Sequence, residues 1–432
     1  MEPAAGVTPD HFLDTSAPRT AVVSWALYDL GNTTFSLAIV SLHFPLWVVN
    51  DRGGTDAHFT LAVSLSMLLM FLAAPVLGAL SDQASRRKPF LVTATLICVS
   101  FTALLGTGSI WLSLAFFVVA NFAYQAGLLF YDTLLPSVAT RENRGRISGF
   151  GVAVGYIGSI IAILTALAIL GVGGTDARVW VFRVTAVLFL LFALPLFRFV
   201  RERERPVSSA IDLGAARQAI RTALGAVASL RQRRDLRNFL LAHLLYADAA
   251  NTAIAVLGIY ATNEVGFSDE QAQMVLLVGI VGAITGGLTI GHVADRIGPR
   301  DTLLGVLGMW LVSLTLVATI AWLDLSEAVF WPVAVLVGIA LGGLWSADRP
   351  LMLQLIPAGR LGEYYGLYSM VGRFAAMLGP LLWAVVVDGV GWGRPTAVAG
   401  LAVFIAVAIV LLSRVDNRPV PQAQAVAGPV SP

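Results

Sequence analysis

Cysteine occurs once in this chain of 432 residues, at Cys98, so no disulfide can form within it. Lysine also occurs once, at Lys88, and no glycine-rich phosphate loop precedes it. That argues against an ATP-driven pump contained in this chain alone. Charge is scarce: 12% of the residues are Asp, Glu, Lys or Arg, against about 25% in an average soluble domain. The 5 histidines are scattered and form no H-E-x-x-H pair, and no G-x-S-x-G elbow occurs. Neither a metal site nor a cofactor is expected, and the chain does not read as an enzyme. No cleavable signal peptide is expected either. The first twenty residues are polar and carry Glu2, Asp10 and Asp14, and the first apolar run is too long for a signal core.

What the chain does have is apolar length: 57% of its residues are hydrophobic. A bilayer core of about 30 Å is crossed by about 20 apolar residues in helix. Twelve such runs occur, at 21–50, 58–80, 89–109, 111–135, 147–171, 178–199, 238–262, 270–292, 301–323, 329–352, 363–388 and 392–413. Backbone groups in lipid must be bonded within their own segment, so these are expected to be helices. The longest polar stretch, 200–237, divides them six and six. The expected layout is a tail (1–20), a first half (21–199), the linker (200–237), a second half (238–414) and a tail (415–432). Within the linker Ile220, Leu224 and Val227 fall at helical spacing, with Arg217 and Arg221 on other faces. This reads as an amphipathic helix on the membrane surface or as a charged tether. Of the 28 Lys and Arg residues, 22 fall on the side of the N-terminus and 3 on the other. The positive-inside bias then places both termini in the cytoplasm, with the chain in the cell's inner membrane.

The two halves repeat. Tyr28, Asp29, Asn32 and Thr33 sit inside the first apolar run, and Tyr246, Asp248, Asn251 and Thr252 inside the seventh. The shared D-x-x-N-T core recurs at a separation of 219 positions. A second match follows the second helix of each half, GALSD (Gly78 to Asp82) and GHVAD (Gly291 to Asp295). Carboxylates inside apolar helices are costly, so two at matching places point to a duplicated protein around a polar central site.

GALSDQASRRKPF (Gly78 to Phe90) resembles the G-x-L-x-D-R-x-G-R-[KR] loop of the major facilitator superfamily, and GHVADRIGPR repeats it. The resemblance implies a twelve-helix membrane fold of two six-helix halves, all α, working as a transporter. It also implies that Asp82 and Asp295 latch the cytoplasmic side by pairing with arginine and a helix N-terminus. Plain positive-inside anchoring explains Arg86 and Arg87 equally well. A narrower resemblance spans nearly the whole chain. WALYDLGNTTF (Trp25 to Phe35), YDTLLPSVATRENRGRISGFGVAVGYIGS (Tyr131 to Ser159), LYADAANTAI and IPAGRLGEYYGLYSMVGRFAAMLGP are similar to the autophagy-related vacuolar amino-acid effluxer family. That family implies amino-acid export. The chain departs from it at the tenth helix, where GGLWSADRP carries Trp345 and Asp348 at the usual glutamine and serine positions and keeps Arg349.

Trp25, Asp29, Asn32, Ser36 and His43 are spaced to share one face of the first helix. Asp29 lies roughly 14 Å past the helix start, near mid-membrane, and Asp248 and Asn251 lie at similar depth. Such carboxylates can bind solute or carry a proton, or they can be structural, held by Asn and Tyr neighbours. Trp25, Tyr28, Asp29, Asn32, Tyr246, Asp248, Asn251 and Arg373 are the candidate solute and proton residues. Asp82, Asp132, Arg146, Asp295 and Arg349 are the candidate gating residues. Asp132 and Arg349 occupy equivalent places 217 positions apart. They can close a gate between the halves, unless Asp132 pairs instead with the arginines at 141–146. Arg373, deep in the eleventh helix, can take a solute carboxylate or pair with Asp348. Glycines four apart (Gly151 and Gly155, Gly282 and Gly286, Gly287 and Gly291, Gly362 and Gly366) suit close helix packing, and can also let helices slide.

The expected function is secondary transport by alternating access, amino-acid efflux with proton coupling. The expected partners are a small solute, a proton and the bilayer. No nucleic acid is expected, and the chain is read as a monomer. Drug or sugar export on the same fold, and a nutrient sensor that binds without flux, are the alternatives. A sensor usually adds a long signalling tail, and only about 18 residues follow the last apolar run.

Overall fold

The computed structural model describes residues 17–172, 174, 176–202, 213–356 and 360–416. Most of both expected tails, and residues 203–212 of the linker, lie outside the described residues. Each apolar run becomes one helical pass. The first half comprises α1 (Arg19–Asp51), α2 (Asp56–Gln83), α3 (Lys88–Ala103), α4 (Ile110–Thr133), α5 (Arg144–Val172) and α6 (Ala177–Phe199). The second half comprises α7 (Arg234–Asn263), α8 (Asp269–Ile297), α9 (Pro299–Trp322), α10 (Phe330–Leu355), α11 (Leu361–Ala384) and α12 (Arg394–Ser413). Ten of these are long and apolar enough to cross a membrane. The other two are α3, apolar but of 16 residues, and α11, which carries Glu363 and Arg373. A helix also forms in the linker, Leu213–Ser229, and Ile220, Leu224 and Val227 are exposed on it.

Duplication is visible in the packing. In the first half α1 packs on α5 and α6, α4 on α2 and α3, and α3 on α6. In the second half α7 packs on α11 and α12, α10 on α8 and α9, and α9 on α12. Every pairing recurs with each helix number raised by six. The halves meet chiefly where α2 lies along α11 and α5 along α8. These two seams are themselves related by the same shift. The start of α1, the linker and the end of α12 share one face of the bundle, the linker face. At the opposite face Ser109 and Ser268 cap α4 and α8 by accepting from backbone N–H groups, which fixes where those helices begin. Leu61, Leu72, Leu164, Leu167 and Val187 are exposed. In water such a surface would drive aggregation; here it is the lipid-facing surface of an integral, multi-pass membrane protein.

One element departs from the regular periodicity. α1 is α-helical over Arg19–Phe35, then π-helical over Ser36–His43 and again over Trp47–Asp51. A π turn closes its hydrogen bonds one residue later than an α turn. A face counted at 3.6 residues per turn therefore holds for Trp25, Asp29 and Asn32 but cannot be continued to His43. His43 is buried, and its Nδ1 has no hydrogen-bond partner among the described residues.

Candidate functional site

The polar residues of α1, α4 and α10 meet at the interface of the halves. Arg349 on α10 reaches across to two carboxylates of the first half. Its Nε lies 2.9 Å from Asp132 on α4, and its Nη1 lies 3.6 Å from Asp29 on α1. Its guanidinium also sits 5.5 Å from the ring centre of Tyr131. All three ion-pair side chains are 10–13% exposed. Arg146, from the arginine group that was the alternative partner for Asp132, is bound elsewhere, to Asp295. Two acids thus face one base in a nearly dry site.

Behind Asp29 the first half is aromatic. Trp25 stacks on Tyr131 at 4.5 Å between ring centres, and Tyr28 on Tyr131 at 5.2 Å. Tyr28 is hydrogen-bonded to Thr95 on α3. Trp25 and Tyr28, both candidate solute residues, are fully buried against helices of their own half. They wall the site here. Asn32, one turn on from Asp29, is buried, and neither polar atom of its amide has a hydrogen-bond partner among the described residues. On the other side Arg373 is only partly buried, and its Nε likewise has no partner among the described residues. Tyr124 on α4 lies near both Asp29 and Arg373.

The second copy of the repeated motif is not equivalent to the first. Asp248 and Thr252 are buried on α7, while Asn251 is exposed. Tyr246 turns to Asp348 and donates to it at 2.6 Å. Tyr368 donates to the other oxygen of Asp348 at 2.5 Å, and His243 Nδ1 lies 3.4 Å from it. Asp348 is therefore occupied by three groups of its own half and does not serve Arg373. His243 and Tyr368 were not singled out in the sequence. The available signals were the three-residue spacing of His243 and Tyr246 and the departure of Asp348 from the family pattern.

Two further carboxylates clamp the linker face. Asp82, at the end of α2, accepts from the N–H groups of Gly362 (2.9 Å) and Glu363 (2.8 Å) at the start of α11, and is ion-paired with Arg87. Asp295, at the end of α8, accepts from the N–H groups of Gly145 (2.7 Å) and Arg146 (3.0 Å) at the start of α5, and from the Arg146 side chain at 3.0 Å. Each anion satisfies free amides at a helix N-terminus of the other half, where the helix dipole favours negative charge. Close by, the backbones touch. A Cβ added to Gly149 would meet the carbonyl of Gly287, and one added to Gly78 would meet that of Gly362. Gly287, Gly291, Gly362 and Gly366 thus pack between the halves. Gly282, Gly286, Gly151 and Gly155 pack within a half. At the opposite face the described ion pairs Arg178–Asp51 and Arg394–Glu264 each stay within one half. This conformation is closed at the linker face.

Solved structures share this architecture. A bacterial homologue of the iron transporter ferroportin, in an outward-facing state, matches with a TM-score of 0.71 at 17% identity, covering 92% of this chain and 98% of that one. The major facilitator transporter FucP, in the outward conformation, matches with a TM-score of 0.72 at 16% identity over 92% and 98%. Among sequences, the MFS-type transporter YxiO of Bacillus subtilis is 26% identical over 420 residues, 91% of this chain and 94% of that protein. Autophagy-related protein 22-1 of Neosartorya fischeri is 25% identical over 302 residues, 63% of this chain and about half (48%) of that longer protein. The model of the family described as "Vacuole effluxer Atg22 like" matches residues 50–422. With the twelve passes, the duplicated halves and the paired clamps, this match makes the chain a major facilitator transporter that belongs to the Atg22-like vacuole effluxer family.

Proposed function

We propose that the protein exports an amino acid from the cytoplasm by alternating access, coupled to proton entry, with the linker face toward the cytoplasm of a cell membrane. The observation that carries this reading is the junction of Arg349 with Asp29 and Asp132, flanked by Asn32 and Arg373. An amino acid is a zwitterion. The Arg373 guanidinium suits its carboxylate, with a planar fork of donors. Asp29 suits its ammonium group, and Asn32 can serve either end. Asp29 is the more weakly held of the two acids, 3.6 Å from Arg349 against 2.9 Å for Asp132. A proton or an ammonium group can therefore compete for Asp29 while Asp132 keeps Arg349 in place. Asp248, buried at matching depth on α7, is the second acid of the coupling proposal. Asp82 and Asp295 hold the linker face shut until the halves rock. The names of the fungal relatives and the family description favour efflux over uptake.

The test is flux in proteoliposomes with an imposed pH gradient and a panel of radiolabelled amino acids. The expected result is movement of one or more of them against the proton flow, abolished by a protonophore. Asp29→Asn paired with Asp248→Asn should remove gradient-driven flux. Arg373→Gln should weaken the half-saturating amino-acid concentration by tenfold or more. If both aspartate variants leave proton-driven flux intact, the coupling assignment is wrong. If no amino acid moves, the solute class is wrong.

A further inference from the structure

We infer that His243 and Asp348 form a proton-binding site inside the second half, separate from the ion-paired acids at the interface. The inference rests on the transport reading above for its purpose, though not for its existence.

The heavy-atom geometry orders the donors and acceptors. Tyr246 and Tyr368 each donate to Asp348, at 2.6 and 2.5 Å. A tyrosine hydroxyl has one hydrogen, so Tyr246 can only accept from His243, whose Nδ1 lies 3.2 Å from its oxygen. The His243 Nδ1 therefore carries hydrogen and points at Tyr246 and Asp348, and in the neutral ring the lone pair is on Nε2. That nitrogen faces Gly372 on α11, where an added Cβ would lie 3.4 Å away. One proton taken from solvent onto Nε2 gives an imidazolium beside the carboxylate. The site then passes from a charge of −1 to 0, and loss of that proton restores it. In both states Asp348 keeps its three donors, so loading requires no rearrangement of the dry cluster. His243 and Asp348 are 2% and 0% exposed.

The charged and titratable surroundings are few. On α7 Tyr246 is the contact, and Arg237 lies toward the linker. α11 brings Tyr365 and Tyr368, with Arg373 farther along, and α4 brings Asp132. Arg394 of α12 is at the opposite end, bound to Glu264, and Asp295 of α8 is bound to the first half. The nearest cation along the chain is Arg349, the next residue after Asp348. The charge of the site is thus set one residue away from the group that joins the halves. Histidine is the side chain suited to change charge near neutrality.

The experiment uses the whole protein with the other four histidines (His11, His43, His58 and His292) replaced by glutamine, leaving His243 as the sole labelled imidazole for nitrogen NMR. Its signals should pass from the neutral Nδ1–H form to the imidazolium as the pH is lowered with the protein folded. The transition should move when Asp348→Asn removes the countercharge. A signal locked in one protonation state over the folded pH range, or unmoved by Asp348→Asn, overturns the site. If that variant fails to fold, Tyr368→Phe, which removes one donor to the carboxylate, takes its place with the same criterion. In proteoliposomes, His243→Gln should keep exchange of a radiolabelled amino acid across equal pH while losing at least tenfold of gradient-driven flux. Unchanged gradient-driven flux overturns the coupling role. If the wild-type protein moves no amino acid, the transport reading fails while the NMR arm still decides whether the proton site exists.

Discussion

The two halves share their helix pairings but not the chemistry at matching points. Tyr131 and Asp132 near the end of α4 correspond to Asp348 and Arg349 near the end of α10, 217 positions on. In the first half the inner residue of the pair is an aromatic ring, stacked with Trp25 and Tyr28, and the outer one is an acid. In the second half the inner residue is an acid held by two tyrosines and a histidine, and the outer one is a base. A faithful duplication would set acid against acid across the seam, and like charges at that distance in a dry interface repel. Divergence at the outer position is what lets the halves close on each other. Divergence at the inner position leaves the first half with an inert wall and the second with a titratable cluster.

The largest effect should come from breaking the outer pair. Arg349→Ala leaves Asp29 and Asp132 without their base, and removing one partner of a buried pair costs about 3–5 kcal/mol. Thermal unfolding of the purified protein should show a large drop, with part regained by the exchange of Asp132→Arg with Arg349→Asp. Arg349→Lys should recover less than half, because a point charge cannot span two carboxylates as a guanidinium does. If Arg349→Ala melts no lower than a surface control such as Arg52→Ala, the pair does not hold the halves together. The inner position should be milder. Asp348→Asn keeps an acceptor for the tyrosines, so a loss of about 1–3 kcal/mol is expected.

How much of this was readable beforehand follows from which forces act locally. The twelve passes were legible because the bilayer imposes length and composition on each one separately. The duplication was legible because loop motifs survive at a nearly fixed separation. The meeting of Asp132 with Arg349 could be framed from their equivalent positions, yet its rival was decided only by where Arg146 went. Spacing put Trp25 and Asp29 on one face of α1 and the repeated motif added Tyr28, but neither could say which of them lay against a neighbouring helix. Trp25 and Tyr28 are packed, while Asp29 reaches the seam. The turn of α1 into π geometry at Ser36 left no residue signature, and it ended the helical count there. His243, Asp348 and Tyr368 come from three helices, and no periodicity within one helix reports a contact among three.

An intermediate effect should come from the glycine seams, which treat the halves alike. Gly149→Leu and Gly78→Leu each force a side chain against the other half's backbone at the linker face. Relief requires the halves to part there, so the linker face should open. Cys98 is buried, and with it replaced by serine a single cysteine introduced at Ser148 or Ser81 reports the opening. Maleimide labelling at those sites should rise several-fold in both leucine variants. A rise in one seam alone would show that the halves hinge about the other.

The smallest effect concerns the two clamps, and it separates them by burial. Asp82 and Asp295 make the same contacts to two N–H groups, but their arginine partners differ. The Arg87 side chain is 6% exposed and that of Arg146 is 51% exposed. Substitution by asparagine keeps one acceptor oxygen and removes the charge. At a helix N-terminus the charge is worth about 0.3–1 kcal/mol, and an exposed ion pair adds little. Asp295→Asn should therefore lower stability by less than about 1 kcal/mol, an amount that shrinks in added salt. Asp82→Asn also strands a buried guanidinium and should cost about 1–3 kcal/mol, with little dependence on salt. Equal losses with equal salt dependence would mean that Arg87 is solvated in the working protein. The α2–α11 and α5–α8 seams would then be electrostatically interchangeable, and the asymmetry between the halves would be confined to α4, α7, α10 and α11.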